Sequence, residues 1–296
     1  MNSPLSPDFL ATLQSALTRR WFFVCGAQKS GTTWLQRILD AHPQVRCRGE
    51  GHFFTELSRL LGQSFSSYNK TLGKVADQVY EGRPYYPGVR QRDYHDVLIP
   101  VMALVMGREG MPDEVMALGD KTPNYAVNLD SIHRVLPESR VVHILRDGRD
   151  VAVSALHHAY RVGLEQAIVP HSDEFYRQMR HHARRWAANV RAARSFGADH
   201  PELYREVSYE RMLVDAVPEI SRVCEVLGVN ADATVVAAAA DAASFEKTTG
   251  RRRGEEDKSA FVRKGEAGDW QQYFDARSLA VFDEESDGLR HELGYA

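Results

Sequence analysis

The chain has 296 residues, 43% hydrophobic and 26% charged; it can bury one substantial core, and a single α/β domain over 1–296 is the simplest count. Its net charge of -3 excludes a general polyanion or nucleic-acid binder, so any basic site is local. The 3 cysteines, Cys25, Cys47 and Cys224, are scattered and form neither a disulfide framework nor a zinc pattern, and with no apolar run long enough to span a bilayer and no signal-peptide pattern a cytoplasmic protein is expected.

Residues 7–19 carry a short amphipathic helical pattern. Trp21 to Cys25 is an apolar run with aromatic and β-branched content and predicts a buried strand. Gly26 to Gly31 is a small polar loop. Thr32 then opens a helix whose Leu35, Ile38 and Leu39 recur at helical spacing, and Pro43 stops the pattern. Val45 to Cys47 reads as a short strand running into a polar turn at 48–54. Residues 55–113 mix helical pattern with a GRPYYPG loop at 82–88 and read as a helical insertion or lid. Val115 to Gly119, Arg140 to Leu145 and Leu203 to Val207 predict further core strands. Helical pattern follows them through 135, over 151–160 and 172–197, and to about 243. Strands alternating with helices predict an α/β fold in three layers, with a central, mostly parallel sheet flanked by helices. Ligands of such sheets bind at the carboxyl ends of the strands. Lys29, Lys121 and Arg146 each follow a predicted strand and are expected to converge on one edge.

Strand, tight loop and helix N-terminus aim several N–H groups at one point, a geometry that binds phosphate or sulfate. The loop departs from a Walker A pattern: Gly26 and Gly31 have the right separation, but Thr32 stands where Lys is required, and the cation, Lys29, lies inside the loop. Here the sequence resembles the sulfotransferase family, whose first nucleotide loop reads K-S-G-T-T-W. Lys29, Ser30, Gly31, Thr32, Thr33 and Trp34 match it position for position, with Gln28 just ahead. Leu145 to Ser154 is similar to the family segment that grips the 3′-phosphate of phosphoadenosine, a role the resemblance gives to Arg146 and Ser154; a guanidinium offers phosphate a planar fork. Asp150 reads as a cap or as a partner of Arg149, outside the site. The segment RKGEAGDW is similar to one that closes over the same phosphate in cytosolic members, here through Arg263, Lys264 and the Gly265 backbone. Arg251 to Arg253 read as a solvated charge run. Adenine needs flat apolar surface, and the resemblance offers Trp34, Tyr209, and Phe245 preceded by Ser244.

The resemblance implies a P-loop-like fold and 3′-phosphoadenosine 5′-phosphosulfate (PAPS) as donor, with adenosine 3′,5′-bisphosphate (PAP) as product and no metal. Sulfuryl transfer is in-line displacement, as in phosphoryl transfer. Lys29 is expected on the leaving oxygen and Lys121 on the sulfuryl group or the 5′ side. For the base, carbohydrate and tyrosyl-protein members use a glutamate at the place Glu50 occupies, and His52 is the second candidate. The acceptor is expected to be a hydroxyl, or an amine, on a small molecule, lipid or carbohydrate; whether the chain forms a homo-oligomer stays open. Two other readings are an ATP-magnesium phosphotransferase with Asp147 as metal ligand, and a non-catalytic nucleotide-binding module.

Overall fold

The computed structural model describes residues 5–163, 169–260 and 262–295. Five strands, β1 (Arg20–Cys25), β2 (Val45–Gly49), β3 (Ala117–Lys121), β4 (Arg140–Leu145) and β5 (Tyr204–Ser208), form one sheet in the order β2-β3-β1-β4-β5, and every ladder is parallel. The helices in chain order are α1 (Pro7–Leu17), α2 (Thr32–Asp40), α3 (Ser58–Val79), α4 (Gln91–Gly107), α5 (Leu129–Val135), α6 (Gly148–Arg161), α7 (Asp173–Asp199), α8 (Tyr209–Val214), α9 (Ala216–Leu227), α10 (Ala233–Ala242), α11 (Phe245–Thr249), α12 (Ala276–Glu285) and α13 (Leu289–Glu292). No helix among the described residues is long and apolar enough to cross a membrane.

Alternation along β1 decides which helices lie on which face. Phe22 and Val24 point into a core with α2, α9 and α10, while Trp21, Phe23 and Cys25 point into one with α1, α4, α5 and α7. A third cluster, with Trp186 and Phe282, packs α6 against α7 and α12 beside the sheet. Because both faces are covered, the strands read as apolar runs rather than alternating ones. The three cysteines are free and buried, and burial pushes the Cys25 and Cys47 thiols well above their ordinary range. Phe22 is 0% exposed at the centre of this sheet. We expect Phe22→Ala to lower stability by about 3–5 kcal/mol, read as a drop in urea midpoint at unchanged m-value.

The third core strand starts and ends two residues later than the apolar run suggests. Asp120 and Lys121 are its last two residues, in register with Phe23 and Val24 of β1. Buried polar residues resemble a turn in sequence, but here Asp120 is satisfied inside the fold: it accepts from Gly51 N (2.9 Å), Thr122 Oγ1 (3.1 Å) and Tyr125 Oη (2.7 Å). The stretch after Gly51 is helical, with a π-helical turn at Phe53–Leu57 followed by α3 and α4.

Candidate active site

Each strand delivers a polar residue at its carboxyl end, and the sheet order gathers them. The loop bearing Lys29 follows β1, Glu50 follows β2, Lys121 ends β3, Arg146 follows β4 and Tyr209 follows β5. One cavity is lined by Gln28, Lys29, Gly31, Thr32, Thr33, Trp34, Glu50, Arg146, Ser154, Tyr209 and Phe245, and by Arg263, Lys264 and Gly265 from the far end of the chain.

Local backbone requirements explain the loop. Lys29 (φ 76) and Gly31 (φ 96) both adopt left-handed conformations, and a Cβ on Gly31 would lie 2.6 Å from the Tyr209 ring. The turn closes with Ser30 N donating to Ala27 O (3.0 Å), and Trp34 N returns to Gly31 O as α2 begins. The first-turn N–H groups of α2 therefore open beside Thr32 and Thr33, which line the cavity. Gly265 (φ 70) has the same logic at the other wall, where a Cβ would meet the Phe245 ring at 2.5 Å.

Two charged poles flank the aromatic surfaces. Arg146 bridges the first loop and the last segment, donating to Lys29 O (3.1 Å) and Glu266 O (2.9 Å), with its guanidinium 4.2 Å over the Tyr209 ring. Trp34 meets Tyr209 edge to face at 5.6 Å. Arg263 and Lys264 both pair with Asp269, and Arg263 also with Glu256. At the other pole, Lys121 Nζ lies 2.5 Å from Glu50 Oε1. Burial, then Arg161 and Arg146, bring the Lys29 ammonium down to about 8 from its ordinary value of 10.5. Burial also lowers His158, reinforced by Lys29 and Arg161. Ser30 Oγ and Arg146 Nε are buried with no hydrogen-bond partner among the described residues, and of the two residues only Arg146 lines the cavity.

The remaining expected residues fall as follows. Ser30 is buried within the loop, Lys121 is buried at the end of β3, and neither is among the residues that line the cavity. His52 lies outside the cavity lining, with Nε2 3.5 Å from Glu50 Oε2 and Nδ1 against Thr55 Oγ1 (3.1 Å). Ser244 caps α11 by accepting from Lys247 N (3.4 Å), one residue ahead of the cavity. Arg149 pairs not with Asp150 but with Asp147, which also caps α6. Asp150 instead accepts from Gly268 N (2.7 Å) and Trp270 N (2.9 Å), so it ties the last segment to α6. Asp147 is thereby committed to an arginine and a helix terminus.

Sequence reasoning missed Arg37, His158, Thr248 and Arg253, all of which line the cavity. His158 was within reach, one helical turn beyond Ser154 on the same face of α6. Arg253 was not: its guanidinium sits 5.7 Å over the Trp34 ring, and nothing in a run of three arginines distinguishes the third.

The fold has counterparts among known proteins. A Caenorhabditis briggsae protein described as a protein-tyrosine sulfotransferase is 28% identical over 210 residues, covering 69% of this chain and 64% of that protein; the chain thus spans less than two thirds of this relative's length. A mouse sulfotransferase complexed with PAP is 18% identical and shares the fold with a TM-score of 0.55 over 98% of this chain and 91% of that one. Retinol dehydratase in a complex with retinol and PAP, also 18% identical, shares it at 0.51 over 96% and 86%. The model of the sulfotransferase family matches residues 22–233, well over half of the sequence, and the chain belongs to that family.

Proposed function

We propose that the protein transfers the sulfuryl group of PAPS to a hydroxyl acceptor, with an amine as the lesser alternative. The observation that carries this reading is the meeting, in one cavity, of the Lys29 loop with Arg146, Ser154, Arg263 and Lys264 across the aromatic slot of Trp34, Tyr209 and Phe245. Such a cavity suits a purine nucleotide with anionic groups on both its 5′ and 3′ sides. ATP has no 3′-phosphate for the second pole, and Asp147 is engaged by Arg149 rather than presented to a metal.

In this reading the acceptor oxygen attacks sulfur in line as the bond to the bridging oxygen of the 5′-phosphosulfate breaks. Glu50 takes the acceptor's proton, and Lys121, buried outside the cavity lining, holds that carboxylate from 2.5 Å. The negative charge that develops on the leaving phosphate is met by Lys29 and the first-turn N–H groups of α2. Arg263 and Lys264 reach the 3′-phosphate by exchanging Asp269 for it. His52 is assigned to orienting Glu50. The α3–α4 segment is assigned to the acceptor side as a lid, because the π-helical turn that leads into it begins at Phe53, three residues after Glu50.

The relatives are described with a protein-tyrosine acceptor in one case and retinol in another, so the acceptor panel spans phenols, a lipid alcohol, a sugar and a tyrosine peptide. Transfer of labelled sulfate from PAPS to at least one of these is expected. PAP binding with no transfer to any of them would leave only the nucleotide-binding module.

Anion binding raises the pKa of a neighbouring ammonium, so PAP binding takes up a proton wherever Lys29 is partly neutral in the free protein. PAP affinity is therefore highest below about pH 8 and falls as pH rises through that value, approaching about tenfold per pH unit. Calorimetric titrations from about pH 7 to 10 check this. Lys29→Met should bind more weakly throughout and lose the decline.

A further inference from the structure

A second cavity, of about 810 Å³, lies apart from the nucleotide cavity. It is a groove between α3, α4 and α5, and no residue lines both cavities. Its floor follows from small residues on α3: Ser58, Gly62 and Ser66 recur every fourth position, and a Cβ added to Gly62 would touch nothing within 4 Å. The volume falls in the range of sites that hold small organic ligands, roughly 300–1,000 Å³.

The lining is one-sided in charge. Arg59, Lys70, Arg90, Arg134 and His95 face the groove, and no carboxylate does. Arg59 is paired with Glu56 (2.7 Å) and Arg90 with Asp93 (3.0 Å), both outside the lining. Lys70 and Arg134 make no side-chain hydrogen bond or ion pair among the described residues; they come from α3 and α5, on opposite sides of the groove. The same lining carries aromatic surface: Phe65 and Tyr94 meet edge to face at 6.4 Å, and Phe54 is a further lining residue. A concave surface of one sign concentrates counter-ions, and flat apolar walls select among them.

We infer that this groove is a second ligand site, for a ring-bearing organic anion held between Lys70 and Arg134 with its ring against Phe65 and Tyr94. The inference does not depend on the proposed chemistry: the groove shares no lining residue with the nucleotide cavity, although α3 and α4 are also the segment assigned there as a lid. Inorganic anions lack the ring, and neutral aromatic compounds lack the charge, so both are weaker ligands on this account.

The test is a calorimetric titration of the PAP-saturated chain with naphthalene-2-sulfonate, which has no transferable sulfuryl group, with neutral naphthalene-2-sulfonamide and inorganic sulfate as controls. The expected result is one site for the sulfonate, with both controls bound about tenfold more weakly or worse. The double variant Lys70→Ala/Arg134→Ala should lose about tenfold or more in sulfonate affinity. Ser66→Trp, which fills the groove by volume, should abolish sulfonate binding. PAP affinity should stay unchanged in both variants, which also shows that they fold. No binding of the sulfonate, equal binding in the variants, or the sulfonamide binding as tightly as the sulfonate would each overturn the inference. Failure of PAP itself to bind would count against the nucleotide reading instead, and the groove titration would then be run without it.

Discussion

Glu50→Gln is expected to lower kcat by about 10²–10⁴-fold while leaving PAP affinity within a few-fold of the unaltered protein. Lys121 is buried, and its ammonium lies 2.5 Å from the Glu50 carboxylate. Truncation to alanine would strand that charge and confuse loss of chemistry with loss of structure. Glutamine keeps the size and one acceptor oxygen for Lys121 but cannot take a proton. A purely structural role is separable through the acceptor. A phenol acidic enough to be ionised in the assay brings no proton to remove, so the variant's deficit should shrink sharply for it and stay large for an aliphatic alcohol. Stopped-assay rates with the two acceptors check this. An equal deficit with both would remove Glu50 as the base.

Lys29→Met is expected to lower kcat/KM by about 10²–10³-fold, the usual consequence of deleting a donor from a site where negative charge develops. The same variant is expected to be at least as stable as the unaltered protein. Lys29 is drawn down to about 8 from an ordinary 10.5 by burial and by Arg161 and Arg146, so its charge is disfavoured in the folded state. The sign of the linkage follows. Between these two values the unfolded chain binds more protons, so the cost is fully present below about pH 8 and is relieved as pH rises toward 10.5. Thermal melts across that window should show relative stability rising with pH through this group, and the rise should be missing in Lys29→Met. Activity falling while stability holds or improves is the pattern of a group kept for function.

The sequence made much of this architecture legible because buried parallel strands are apolar runs. Arg140–Leu145 is bounded as its composition suggests, and the loop of Gly26 to Gly31 lies between a strand and a helix as its glycines and the helical periodicity after it imply. Legibility failed where polar groups are satisfied internally. Asp120 and Lys121 end a strand because Tyr125, Thr122 and Gly51 serve the carboxylate from elements that sequence alone does not bring near. Asp150 is four residues from Arg146, but its main partners are backbone N–H groups more than a hundred residues later. The pairing of Arg263 and Lys264 with Asp269 was equally hidden, since a basic segment looks free until its neighbours are placed. Arg253 was lost for the opposite reason: three adjacent arginines look alike until one lies over Trp34.

The central claim is that one cavity holds two anionic ends of a single nucleotide. It is tested most directly by titrating the protein with PAP, with adenosine 5′-monophosphate and with ATP-magnesium under one set of conditions. The account predicts that PAP binds about 100-fold or more tightly than the monophosphate, since a phosphate gripped by arginine and lysine contributes a few kcal/mol. That advantage should collapse in Arg263→Ala, and ATP-magnesium should bind more weakly than PAP. Equal affinity for PAP and the monophosphate, or tighter binding of ATP-magnesium, would contradict it.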